Sequence, residues 1–324
     1  MPQKLATLET ARLFREKAAA MQKAIDKKMN PATAAQNPTP RRARIIAGMF
    51  EDGVRLAKVQ RGMLGMADAI ETKEIPPTLR YVVTPFQVAA ILLSSEFDRD
   101  DKIYEQMFYA DIWTDDRFDN AKEELSQLID DTAIQAARRA LELKQRGQAL
   151  IGQVPGYFPT PAKVVARMLP HIKLGAGETV FDPAAGGGAI LDAVKEIHPD
   201  LALETVGIEI NHALWELAIS KGHNVTHASM FDVPTATKYD NIIMNPPFER
   251  DQTAQFIQYA FEHFLADNGT LISVIDGGVL HGSSKSDLAF QRFVADNGFA
   301  YDLPKNSFKE SMTGVATEFV VLTK

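Results

Sequence analysis

The chain has 324 residues, 45% hydrophobic and 24% charged, which supports about two globular domains and excludes a wholly disordered, fibrous or collagen-like protein. It has no cysteine, so disulfides, zinc–thiolate sites, iron–sulfur clusters and thiol nucleophiles are all excluded, and a reducing, cytoplasmic address fits. The net charge of −7 is unevenly spread: residues 1–50 hold ten Lys or Arg against three acids, whereas residues 151–324 hold twelve against twenty.

Lys4, Arg12, Arg15 and Lys17 interrupt the first twenty residues, so no signal peptide or membrane anchor is expected there. No run approaches the roughly 20 apolar residues of a membrane span. Helical spacing runs from Thr7 to Met29 and is broken by Asn30-Pro31. The stretch Pro31–Pro40 reads as a loop, Arg41 to Ile70 as a second helix ended by Ile75-Pro76-Pro77. Thr84–Leu93 and Asn120–Arg146 give two further helical segments, separated by an acidic and aromatic stretch from Glu96 to Phe118. Residues 1–150 are thus expected to form a helical domain, with Gly152–Gly156 as the boundary to a second domain over 151–324. Contact with phosphate needs local positive charge, which makes Arg41, Arg42 and Arg44 a candidate surface for nucleic-acid phosphate; a solvated helical face is the alternative.

Beyond the boundary the period changes. Thr179–Asp182, Glu204–Ile210, Asp240–Met244, Gly269–Ile275 and Thr317–Thr323 are short β-rich runs, with a further strand at Asn224–Ala228. Helical candidates at Ala189–Ile197, Ala213–Lys221 and Thr253–Leu265 lie between them, and Asp287–Asn297 follows. Such alternation predicts an α/β domain, a Rossmann-like, doubly wound and mainly parallel sheet whose ligands bind at the carboxyl ends of the strands.

Those ends carry the chemistry. Phe181-Asp-Pro-Ala-Ala-Gly-Gly-Gly188 closes the first strand and opens a helix, where glycines let backbone approach a ligand. The second strand ends at Glu209 followed by Ile210, an acid placed to accept from both ribose hydroxyls of a nucleoside. Asp232, beside Phe231, is placed to accept from an adenine amino group. Either acid alone serves as readily as a helix cap. The fourth strand ends in Asn245-Pro246-Pro247-Phe248. Two consecutive prolines remove donors and fix the backbone, leaving carbonyls and the Asn side chain directed into the crevice.

In the order Phe158-Pro-Thr-Pro161, Phe181 to Gly188, Glu209, Asp232 and Asn245 to Phe248, residues 157–324 resemble the S-adenosylmethionine-dependent amino-methyltransferases, and most closely the DNA adenine-N6 branch with its seven-stranded sheet. The resemblance implies S-adenosyl-L-methionine as cofactor, with Phe158, Thr160 and Pro161 flanking its methionine end. It implies Asp182, Pro183, Ala184, Gly186 and Gly188 along its amino-acid part, Glu209 and Ile210 at the ribose, and Phe231 and Asp232 at the adenine. Asn245, Pro246, Pro247 and Phe248 would act on the substrate, with Phe308 a second aromatic at the target base. The partner implied is double-stranded DNA with a flipped adenine; no membrane partner is expected, and the oligomeric state is not specified.

The residue types suit that chemistry in their own right. An exocyclic amine has its lone pair delocalised into the ring and attacks a sulfonium methyl only when acceptors hold its N–H groups. The Asn245 oxygen and the Pro246 carbonyl are such acceptors, and Phe248 is placed to stack on an extruded base. No metal is required, and cytosine-C5 methylation is excluded for want of a cysteine. The resemblance implies a separate target-recognition domain after the catalytic sheet; none is expected within residues 151–324, which predicts loose target choice. RNA adenine-N6 methylation, protein-glutamine methylation and a non-enzymatic cofactor-binding module are the alternative functions.

Overall fold

A computed structural model describes residues 3–30, 40–95, 97, 102–248, 252–304, 307–308 and 317–324. Within it the chain divides into two compact units, Met1–Leu141 and Glu142–Lys324. No helix among the described residues is long and apolar enough to cross a membrane.

The first unit is helical. Thr7 caps α1 (Leu8–Met29), and α2 (Pro40–Thr72) packs along it. Buried Gln60 fixes the pair by donating to the Ala18 carbonyl at 2.8 Å. Gly65 allows the close approach of a third segment, because a Cβ there would run into the Leu128 carbonyl. In Thr84-Pro-Phe-Gln87 the Thr and Gln side chains each hold the other's backbone N–H, at 3.2 and 3.0 Å. This reciprocal cap starts α3 (Pro85–Leu93). A short helix, α4 (Lys102–Tyr109), lies in the acidic and aromatic stretch. The expected single helix over Asn120–Arg146 is instead two, α5 (Asp115–Gln127) and α6 (Thr132–Leu150). The break arises at Asp130, whose Oδ1 takes the Thr132 N–H at 3.1 Å and the Thr132 hydroxyl at 2.6 Å, an arrangement that starts a helix rather than continuing one. Phe14, Met63, Met66, Ile91 and Phe118 centre the core of this unit. The expected loop at residues 31–39 lies outside the described residues.

The division between the units falls inside α6, ahead of the Gly152–Gly156 turn. The second unit continues with α7 (Ala162–Met168), β1 (Thr179–Asp182), α8 (Ala189–Ile197), β2 (Glu204–Glu209), α9 (His212–Ser220) and β3 (Asn224–His227). Then follow β4 (Tyr239–Met244), α10 (Gln252–His263), β5 (Leu265–Asp276), α11 (Gly277–His281), α12 (Lys285–Asn297), β6 (Gly298–Asp302) and β7 (Thr317–Thr323). The seven strands form one sheet in the order β3-β2-β1-β4-β5-β7-β6. The pairs from β3 through β5 are parallel, and β7 runs antiparallel to both β5 and β6. The fold is therefore α/β, doubly wound and mainly parallel, with a helical N-terminal region.

Parallel strands covered on both faces read as continuous apolar runs, and Ile242, Ile243 and Met244 are all fully buried. Their side chains alternate between two cores. Ile243 joins Val180, Ile272 and Val274 on one face; Ile242 and Met244 join Phe181, Leu271 and Ile275 on the other. Two features of the sheet differ from expectation by more than a residue. β5 starts at Leu265 rather than Gly269, taking over the end of the predicted helix, and β6 was not expected because its residues are mostly exposed at the sheet edge, Phe299 at 72%. The order of strands reverses direction between β1 and β4, so a crevice opens at the carboxyl ends of these two neighbours.

Candidate active site

At that crevice β1 ends in Asp182, whose Oδ1 accepts the Ala184 N–H at 3.0 Å and turns the chain. The turn closes with the Gly188 N–H on the Ala185 carbonyl at 2.8 Å and opens α8. Gly186 and Gly188 have φ of +53° and +79°, the left-handed region that favours glycine. A Cβ at Gly186 would also lie 2.9 Å from the Tyr157 ring, and one at Gly188 2.7 Å from the His223 ring. Glycine is thus demanded here by conformation and by space.

Glu209, buried at the end of β2, holds this turn from the neighbouring strand. Its Oε2 accepts the Gly186 N–H at 2.7 Å and its Oε1 the Asn211 N–H at 2.6 Å. Each oxygen retains a second lone pair for a ligand hydroxyl. Burial raises the Glu209 carboxyl above the usual range, with the backbone N–H groups of Asn211 and Gly186 opposing it. Asp182 is affected more strongly: complete burial, with Glu209 adding to it against the Ala184 hydrogen bond, pushes it up to about 8. Tyr157, half-buried with its oxygen beside Gly187, is raised to about 12, chiefly by desolvation.

β4 delivers Asn245 to the same crevice. The Asn245 Nδ2 donates to the Phe158 carbonyl at 3.1 Å. A carbonyl only accepts, so the amide cannot be reversed without setting two acceptors face to face. Its Oδ1 is therefore directed away from Phe158, and it is the one buried side-chain oxygen or nitrogen without a partner among the described residues. Pro247 is fixed by the Thr253 hydroxyl, which donates to its carbonyl at 2.7 Å.

These groups enclose a cavity of about 290 Å³. Of the expected site residues, Phe158, Thr160, Asp182, Pro183, Ala184 and Gly186 line it, together with Glu209, Ile210, Asn245, Pro246, Pro247 and Phe248. Others are not brought to the wall. Pro161 caps α7 and Gly188 caps α8. Phe231 is half-exposed and packs edge-on against Phe256 and Tyr259 at 5.0 and 4.9 Å, while Asp232 is exposed with its backbone N–H on the Ser229 carbonyl. Phe308 is 1% exposed and part of the core, its ring 6.5 Å from that of Phe248 and perpendicular to it. Most of the segment after it, residues 309–316, lies outside the described residues. Arg41, Arg42 and Arg44 are exposed at the start of α2, in the first unit.

Several lining residues were not expected, among them Tyr157, Asn211, Leu214, Met230 and Phe256. Tyr157 stands directly before Phe158, and its contact with Gly186 joins two segments 29 positions apart in the sequence.

Residues 162–284 match the family model described as methyltransferase small domain. The second unit carries a methyltransferase domain. No curated protein matches the chain. Solved structures with a similar course of chain include a modification subunit of a putative type I restriction enzyme from Vibrio vulnificus YJ016, at 14% identity and a TM-score of 0.47, covering 100% of this chain and 83% of that one. Another is the methyltransferase subunit of a type I restriction-modification system from Streptococcus thermophilus, at 16% identity and a TM-score of 0.46, covering 98% of this chain and 84% of that one.

Proposed function

We propose that this methyltransferase uses S-adenosyl-L-methionine to methylate the exocyclic N6 of an adenine flipped out of double-stranded DNA. The observation that carries the proposal is the partnerless, buried Asn245 Oδ1 in the cavity wall. A buried acceptor without a donor costs about 1–3 kcal/mol, a cost offset when a substrate N–H reaches it.

The cavity suits the cofactor. Asp182 and Glu209 are buried acids fitted to an ammonium and to ribose hydroxyls, and the left-handed turn at Gly186 lets backbone approach closely. Ile210, Met230 and Phe256 supply an apolar wall for an adenine ring; the adenine contact expected from Asp232 has no support in its exposed position. Thr160, Asp182, Gly186, Glu209 and Ile210 would thus hold the cofactor, which when bound supplies a methyl group already activated by its positive sulfur.

What remains for the chain is to make the amine nucleophilic. Asn245 Oδ1 and the Pro246 carbonyl hold its two N–H groups, drawing the nitrogen lone pair out of conjugation with the ring. The Phe158 carbonyl fixes the Asn245 amide beforehand, so no reorganisation is needed. Phe248, backed by buried Phe308, presents a stacking surface for the extruded base. The alkylated nitrogen then sheds one proton to water, since neither Asn nor Pro is basic. DNA is brought by the first unit, where Arg41, Arg42 and Arg44 are exposed, because the acidic second unit attracts no phosphate by its net charge.

Incubation with methyl-labelled cofactor and, separately, unmethylated DNA, RNA and protein tests the reading. Label at adenine N6 of DNA is expected. Label at RNA adenine or at a protein glutamine overturns the assigned substrate, and label in none of them overturns the activity.

A further inference from the structure

Outside the cavity, behind its glycine-rich turn, lies an ionic cluster that the proposed chemistry does not use. Its source is the tripeptide Lys221-Gly222-His223. Helix α9 ends here because Gly222, at φ +88°, takes the left-handed position. The Gly222 N–H then returns to the Ile219 carbonyl at 2.9 Å and the His223 N–H to the Ala218 carbonyl at 3.3 Å. This turn presents both side chains to α8. Lys221 Nζ donates to Asp192 Oδ2 and to the Gly187 carbonyl, each at 2.6 Å. His223, whose side chain is 2% exposed, places Nε2 2.8 Å from Asp192 Oδ1 and Nδ1 3.3 Å from the Thr205 hydroxyl. Burial alone would raise the Asp192 carboxyl, but His223 and Lys221 hold it below its ordinary range, so it is an anion between them.

Gly187 is consequently gripped from two sides. The Tyr157 oxygen lies against it from the cavity side, 2.7 Å from where a Cβ would stand, and its carbonyl accepts from Lys221 behind. The next residue after Tyr157, Phe158, holds the Asn245 amide. Lys221 and Tyr157 thus confine Gly187 between them.

We propose that Lys221, anchored by Asp192 and His223, is a positioning residue for methyl transfer: it locks Gly187 and so preforms the glycine-rich turn for the amino-acid end of the cofactor. This inference rests on the cofactor assigned above. A surface ion pair would contribute little, but the Lys221 side chain is only 20% exposed, and a charged donor to a carbonyl is stronger than a neutral one. Preorganisation of a ligand turn acts on affinity rather than on the chemical step.

The test uses the full chain with Lys221→Met and Lys221→Arg. In ligand-free protein, hydrogen exchange of the peptide covering residues 183–190 is expected to quicken about tenfold in Lys221→Met, as the locked turn opens more often. The dissociation constants of S-adenosyl-L-methionine and S-adenosyl-L-homocysteine, and KM for the former, are expected to rise about tenfold, with kcat at saturation changed less than threefold. Lys221→Arg should restore most of the loss. If Lys221→Met does not fold, Asp192→Asn, which keeps the shape but frees the ammonium, should move exchange and affinity the same way. Unchanged exchange and affinity in the folded variant overturn the proposal, as does a loss confined to kcat. Failure of the wild-type protein to bind either ligand overturns instead the cofactor reading on which the proposal rests.

Discussion

Replacing Asp182 by Asn should make the second unit more stable and its ligand site worse, and both effects should depend on pH. The carboxyl is 1% exposed and is raised to about 8, whereas in the unfolded chain it ionises near the ordinary aspartate value of about 3.9. Between those values the native state carries a proton that the unfolded state has lost. Native stability therefore falls as pH rises through this window, by about 1.4 kcal/mol per pH unit. Asn resembles the protonated form, can keep accepting the Ala184 N–H through Oδ1, and does not titrate. The difference in stability between Asp182→Asn and the parent should thus widen by about 2 kcal/mol between pH 6 and pH 7.5.

Urea midpoints at several pH values measure this. The protein has two tryptophans, Trp113 in the first unit and Trp215 in the second, so a Trp113→Phe background makes fluorescence report on the second unit alone. Common contributions from other carboxylates cancel in the difference. Parallel pH curves for the two proteins would mean that Asp182 titrates as an exposed acid and would refute the burial argument. The same group predicts a binding signature. An ammonium ligand needs the ionised carboxylate, so S-adenosyl-L-methionine should displace most of a proton from Asp182 at pH 7, seen by calorimetry in buffers of different ionisation enthalpy and absent in Asp182→Asn.

Asn245→Ala should keep cofactor affinity while turnover falls about 100- to 1000-fold through loss of one fixed acceptor; near-normal single-turnover rates would remove Asn245 from the chemistry. Glu209→Gln puts an amide NH₂ against either the Gly186 or the Asn211 N–H, which the carboxylate accepts at 2.7 and 2.6 Å, and should weaken cofactor binding by about 1–3 kcal/mol, read by calorimetry. Gly188→Ala forces a side chain into φ +79° and against the His223 ring, which should cost about 1–3 kcal/mol in urea denaturation before any steric contribution. Neutralising Arg41, Arg42 and Arg44 should lower the log–log salt dependence of DNA binding by about 0.9 for each phosphate that an arginine no longer neutralises; an unchanged slope would assign these residues to a solvated helical face.

Sheet and helices in the second unit were legible because each strand between two covered faces must be apolar along its whole length and must end in a turn residue. Ile242-Ile243-Met244 followed by Asn-Pro-Pro, and Val180-Phe181 followed by Asp-Pro, satisfy both conditions. β6 satisfies neither: an edge strand needs no buried face, and Ala300, Tyr301 and Asp302 are exposed. The split between α5 and α6 was hidden for a different reason. Leu125, Leu128 and Ile129 keep helical spacing before Asp130 and Asp131, and Ile134, Ala137 and Leu141 keep it after them; only the five-residue step from Ile129 to Ile134 is out of period, where the Asp130 side chain competes for the Thr132 N–H and breaks the helix.

The site divides along the same line. Residues that must be a particular type because of their own backbone were readable: Gly186 and Gly188 at positive φ, the double proline after Asn245. Residues whose role depends on a partner distant in sequence were not. Asp232 follows a strand end as Glu209 does, yet Glu209 is fixed by the Gly186 N–H from another strand's turn, and Asp232 is exposed. Phe308 and Tyr157 are both aromatics near a motif. Phe308 is taken up by the core, whereas Tyr157 meets residues that have no Cβ, and so its ring reaches Gly186 and its oxygen Gly187. Glycine at 186 thus serves two needs at once, a left-handed turn and room for a tyrosine. Only the first of these is written in the local sequence.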